Sequence, residues 1–114
     1  MTKNERIERY RIVSPLATHG VPFEAIDTLL RQAKAYHTWA ERLCNDTEVD
    51  EDGKAWRHNP YNGTRTRTPN RGAGLERAFA DFAKLYGVTI TTQGDPRGYV
   101  VRLTLPDGRE FGLA

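Results

Sequence analysis

The sequence predicts an α+β fold in which two main amphipathic helices pack on a three-stranded antiparallel meander, with a long central loop between the helices. Three observations lead there. Apolar residues recur at three- and four-residue steps in two segments, they alternate with polar residues after Val88, and Asp107-Gly108 separates two alternating runs. At 114 residues the chain suits one domain over 1–114, burying roughly two-thirds of the surface its unfolded form exposes. Apolar residues at 38% and charged residues at 28% support a modest core.

Residues 1–20 are charged, with Ile7, Tyr10, Ile12, Val13 and Leu16 scattered among them, and read as a short helix ending near Ser14-Pro15 or as a flexible segment. Pro22 presets φ at the threshold of a clearer helix. There Phe23, Ile26, Leu29, Leu30, Ala33, Tyr36, His37, Ala40, Leu43 and Cys44 recur at helical spacing over about six turns. After Cys44 the periodicity stops. Asp52-Gly53, Asn59-Pro60, Asn62-Gly63 and Pro69-Asn70 punctuate residues 45–70, which read as a long charged loop with room for a short hairpin about Asn62-Gly63. Loops of such length inside a compact domain are usually functional or disordered.

Asn70 is placed to cap a second helix whose stripe is Leu75, Ala78, Phe79, Phe82, Leu85 and Tyr86, with Gly87 as the left-handed C-cap. Val88, Ile90 and Thr92, then Tyr99, Val101, Leu103 and Leu105, define two strands joined through Gln93-Gly94-Asp95-Pro96-Arg97-Gly98. Asp107-Gly108 turns the chain into a short edge strand, Arg109 to Leu113.

Apolar runs of a few residues cannot span a bilayer, which takes about twenty. Residues 1–10 lead into no apolar signal core, and the lone Cys44 has no internal disulfide partner, so a cytoplasmic setting is the default expectation. The net charge of +2 conceals an uneven distribution. Asn45 to Gly53 holds five acids and no base, whereas Lys54 to Gly72 holds five bases and no acid.

Zinc needs three or four converging ligands, and His19, His37, Cys44 and His58 follow no finger or ribbon spacing. His37 and Cys44, seven residues apart on one helix, are separated by about 10 Å along its axis. The run Glu48-x-Asp50-x-Asp52-Gly53 imitates the start of a calcium loop, but Asn59 stands where the bidentate Glu belongs. Neither a metal nor a cofactor is expected. Cys44 with His37 or His58 carries no local signature of a nucleophile, and an enzyme is not expected. A lone Cys ending an apolar stripe is more often a small buried residue.

The basic stretch is the stronger candidate. Lys54, Arg57, Arg65, Arg67 and Arg71 interleave with Trp56, His58 and Tyr61. Arginine with Trp and Tyr is the composition of protein interfaces, and cations with aromatics also suit phosphates and unstacked bases. The plain alternative pairs these arginines with the neighbouring acidic run. Arg97, at the tip between two glycines, is placed to present a guanidinium to a carboxylate or phosphate.

Tyr36-His37-Thr38-Trp39-Ala40-Glu41-Arg42-Leu43-Cys44, Asn70-Arg71-Gly72-Ala73-Gly74-Leu75, Tyr86-Gly87-Val88-Thr89 and Gln93-Gly94-Asp95-Pro96-Arg97-Gly98 together resemble a family of small uncharacterised proteins of phages, prophages and conjugative elements. The resemblance spans roughly Ile26 to Leu103 and departs from the pattern at Asn70, where Asp is expected. It implies no activity. It marks His37, Trp39, Glu41, Cys44, Arg71, Asp95 and Arg97 as positions to test. Small proteins of mobile elements often bind a host component, inhibitors of host defence such as anti-CRISPR proteins among them. The expectation is therefore a non-enzymatic accessory protein that binds a host protein complex through Lys54, Trp56, Arg57, Tyr61, Arg65, Arg67, Arg71 and Arg97. The alternative is nucleic-acid binding by the same residues.

Overall fold

The computed structural model describes residues 2–93 and 100–114. The tip Gly94 to Gly98, with Arg97, and Tyr99 lie outside the described residues. The fold is mixed α+β. The helices are α1 (Lys3–Thr18), α2 (Phe23–Asn45) and α3 (Arg71–Tyr86). Strands β1 (Thr47–Val49), β2 (Ala55–His58) and β3 (Arg65–Thr68) form one antiparallel meander, and β4 (Thr89–Thr92), β5 (Val101–Thr104) and β6 (Glu110–Gly112) form another.

The second meander is the expected one, and its alternation builds the core. Ile90, Leu103 and Phe111 are register partners across its strands, and Val100, Val101, Leu103 and Leu105 are buried. The buried face of α2 runs Ile26, Leu29, Ala33, Tyr36 and Ala40, alternating steps of three and four that keep one stripe turned inward. Tyr36 meets Phe79 of α3 edge-on at 5.8 Å between ring centroids. Phe23, Leu85 and Cys44, read as stripe members, are exposed.

Both expected caps of α3 form. The Asn70 side chain accepts from the Ala73 N–H at 3.2 Å, and Gly87 adopts φ 66°. The first helix, in contrast, does not end near Pro15 but runs on to Thr18 with Pro15 inside it. Leu16, fully buried, supplies the reason, since core packing outweighs the hydrogen bond that proline removes. The helix ends instead at Gly20, φ 101°, where the Gly20 N–H bonds Ala17 O and the Val21 N–H bonds Leu16 O at 3.0 Å each. Such paired bonds define a Schellman stop, and buried Val21 and Leu16 give it the accompanying apolar contact. An ion pair between Arg9 and Asp27 joins α1 to α2, and Arg9 holds the Asp27 carboxyl below the usual carboxylate range.

The main departure from expectation is at 45–70: the hairpin expected about Asn62-Gly63 forms between β2 and β3, but β1 joins it, so the segment is a three-stranded meander and not a long loop. Of its strands only β1 packs substantially along a helix, α2. It extends as an arm from the helical layer, and the molecule measures 51 × 32 × 23 Å. Its Cα radius of gyration is 15.9 Å, against about 13 Å for a compact chain of this length.

Candidate functional site

Two turns built by side-chain acceptors make the arm. In the first, Asp50 Oδ1 accepts the backbone N–H groups of Asp52 and Lys54 at 3.0 and 2.9 Å, and Oδ2 accepts the Trp56 indole N–H at 2.8 Å. These donors, the indole foremost, hold the Asp50 carboxyl below the usual carboxylate range. The supposed calcium-loop oxygen is thus an Asx-turn acceptor with both oxygens engaged. Gly53 completes the turn at φ 79°. In the second turn Asn59 Oδ1 accepts the Tyr61 N–H at 2.9 Å and Asn62 Oδ1 accepts the Thr64 N–H at 3.0 Å. Tyr61, at this tip, is 97% exposed.

The root is tied twice. The His58 N–H bonds Asp46 O at 2.7 Å. Asn70, while capping α3 with its oxygen, donates its amide to Gly53 O at 2.8 Å. One side chain therefore fixes the first turn of the arm to the start of a helix.

Register sorts the arm's side chains between its faces, because residues directly opposite share a face. Thr47 with Arg57, Val49 with Ala55, Ala55 with Thr68, and Arg57 with Thr66 lie on one side, where Thr47 and Ala55 are buried. Glu48 with Trp56, Trp56 with Arg67, and His58 with Arg65 lie on the other. There the Arg65 and Arg67 guanidinium carbons stand over the Trp56 ring, 4.5 and 5.2 Å from its centroid. Glu48 Oε1 accepts from Arg65 Nη1 at 3.0 Å and faces His58 Nε2 at 3.2 Å. On the first side Arg57 Nε donates to Asp46 Oδ2 at 3.2 Å. Beyond it, Asp46, Arg57, Pro60, Tyr61 and Thr66 line an open cleft of about 470 Å³.

Trp56, Arg65 and Arg67 are brought together, and Arg57 shares a cleft with Tyr61. Lys54 stands apart at the first turn. Arg71 belongs to α3 and lines a separate cleft with Trp39 and Arg42 of α2. Arg97 lies outside the described residues. The acidic run does pair with two of the arginines, Arg57 and Arg65. Among the described residues Lys54, Arg67 and Arg71 form no salt bridge, although the Lys54 charge helps to hold the Asp50 carboxyl low. Glu48 joins this cluster because the Asp52-Gly53 turn between β1 and β2 sets it opposite Trp56, a signal present in the sequence.

Elsewhere, His37 Nε2 faces Glu41 Oε1 at 3.2 Å and Cys44 is exposed on the last turn of α2. Among the described residues no group of three His, Cys, Asp or Glu side chains gathers to hold a metal ion, and no helix is long and apolar enough to cross a membrane. Neither protein-family models, curated proteins nor solved structures match this chain.

Proposed function

We propose that the chain is a non-enzymatic accessory protein of a phage or mobile element that binds a host protein complex through its β-arm, in the manner of defence inhibitors such as anti-CRISPR proteins. The mobile-element setting rests on the sequence resemblance. The observation that carries the binding surface is Tyr61, 97% exposed at the tip of a hydrogen-bonded turn and beside Arg57 in an open cleft. An aromatic ring held in water at the end of a braced hairpin has no folding role, and Tyr and Arg are the anchors that dominate protein interfaces.

A protein partner is favoured over nucleic acid because two of the three arginines on the arm's strands, Arg57 and Arg65, are already paired with Asp46 and Glu48, which leaves only Arg67 unpaired there, and because Trp56 is engaged by two guanidinium groups and by Asp50. Phosphate tracking needs unpaired cations, and base stacking needs an open ring. The test is capture from host lysate with the natural chain and with Tyr61→Ala. The expected result is a defined protein complex retained by the former and lost with the latter. Retention of the same complex by Tyr61→Ala overturns the assignment of the surface. Capture of nucleic acid alone, lost on replacing Arg65, Arg67 and Arg71 together by alanine, overturns the protein partner.

A further inference from the structure

Where α2 meets the start of α3, a cleft of about 260 Å³ is lined by Ala35, Thr38, Trp39, Arg42, Arg71 and Leu75. Its only ionisable lining groups are the two guanidinium groups, and the first turn of α3 contains no acid. The aligned peptide dipoles of this 16-residue helix place partial positive charge at the same end, which a carboxylate usually offsets. Arg71 adds to it.

Trp39 is an independent feature of the same cleft. It is only 4% exposed, and its indole lies so close to Gly72 that an added Cβ would stand 2.7 Å from Cδ1 and nearer still to Nε1. Gly72 thus admits the N–H edge of the indole to the first turn of α3. Among the described residues this N–H donates to no protein acceptor and it is not sealed from solvent, so it is free to donate to a ligand, whereas the Trp56 N–H is taken by Asp50.

We propose that this cleft is an oxyanion site that takes a phosphate group, held by the Arg42 and Arg71 guanidinium groups and by the Trp39 indole N–H. A guanidinium presents paired donors that match phosphate oxygens, and a phosphate carries nearly two charges at neutral pH, matching two cations and a helix N-terminus. A carboxylate, with one charge, leaves the cleft cationic. The proposal does not rest on the arm, so Tyr61→Ala leaves phosphate binding intact.

The test uses the two indole N–H resonances of the whole protein, read by heteronuclear NMR at constant ionic strength. Inorganic phosphate is expected to shift the Trp39 resonance saturably while the Trp56 resonance, bonded to Asp50, stays in place. Acetate binds at least about tenfold more weakly. Arg42→Gln and Arg71→Gln, both at exposed positions, each weaken phosphate binding by about tenfold or more. O-phosphoserine distinguishes the sources. Tighter binding than inorganic phosphate points to a phosphorylated partner and weaker binding to free phosphate, and both support the site. The proposal is overturned by an unsaturable Trp39 shift, by equal shifts of both indoles, by acetate binding as well as phosphate, or by variants that titrate like the natural chain.

Discussion

Replacing Gly72 by alanine is expected to destabilise the protein although the change sits in a helix, where alanine is the better helix former. Two effects oppose each other. Exchange of a helical glycine for alanine stabilises by about 0.4–1 kcal/mol, largely by restricting the unfolded chain. At Gly72 the new Cβ stands 2.7 Å from Trp39 Cδ1 and 3.2 Å from Cε2, where carbon contacts settle at about 3.5–4.0 Å. Trp39 is 4% exposed and cannot swing aside into solvent, so α3 must move off α2. Overpacking of this kind costs about 1–3 kcal/mol. Gly74 provides the control, since it lies on the same helix with nothing within 4 Å of an added Cβ. Gly74→Ala should therefore gain the helical increment alone. The two variants should differ by about 1–3 kcal/mol, the overpacking cost, which is roughly 4–12 °C in melting temperature for a chain of this length. Urea unfolding of both, analysed with a common slope, measures the difference directly. If Gly72→Ala proves as stable as Gly74→Ala, the close approach of α3 to the Trp39 indole is wrong.

Two further expectations concern pH. Asp50 has its carboxyl held low by the Trp56 indole and two backbone N–H groups, so its contribution is fully present above the unfolded carboxylate range near pH 4. It is lost as pH falls through the lower folded value. The arm should loosen selectively in acid, read by hydrogen exchange at the β1 and β2 amides, and Asp50→Ala should loosen it at neutral pH. Equal protection in variant and natural chain refutes this. Burial, and then the hydrogen bond donated to Glu76 at 2.7 Å, raise the Tyr36 hydroxyl above its ordinary value near 10. A raised group stabilises fully below its unfolded value and loses that contribution as pH climbs through the folded one. Tyr36→Phe should cost about 1 kcal/mol at neutral pH and should flatten the loss of stability above pH 10. Parallel alkaline profiles for the two proteins would exclude this role.

The helices and the second meander were legible because their burial is periodic. Ile26, Leu29, Ala33, Tyr36 and Ala40 carry the three–four alternation in their residue types, and Asn70 and Gly87 announce the ends of α3. The arm was not legible as a sheet because only Thr47 and Ala55 of its strand residues are buried, which leaves no hydrophobic period to read. Its alternation is written in polar residues instead. Arg65-Thr66-Arg67-Thr68 repeats with a period of two, and Asp52-Gly53 and Asn62-Gly63 mark its two turns. Pro15 misled for the opposite reason, since a local preference to end a helix yields to the burial of Leu16 and the stop at Gly20. Within the site, sequence proximity revealed Trp56 and its arginines. The junction of Trp39 with Gly72 and Arg71 joins residues about thirty apart, and only packing brings them together.

The arm's lack of an apolar core bears on how it would meet a partner. Exposed ion pairs such as Arg57 with Asp46 and Arg65 with Glu48 contribute at most about 1 kcal/mol each and weaken with salt. The order of the arm therefore comes chiefly from its backbone ladder, the His58 N–H bond to Asp46 O, and the bonds by which the Asp50, Asn59, Asn62 and Asn70 side chains hold backbone groups of its turns. Side chains on its faces can then exchange partners at little cost while the backbone that carries them stays in place. In the proposed complex Arg57 can leave Asp46 for a carboxylate of the partner without disturbing Tyr61, whose turn is held by Asn59 and Asn62. A surface of this kind loses little conformational freedom on binding, because the anchor is already positioned. Salt should then affect the association rate through the arginines, while the lifetime of the complex follows Tyr61.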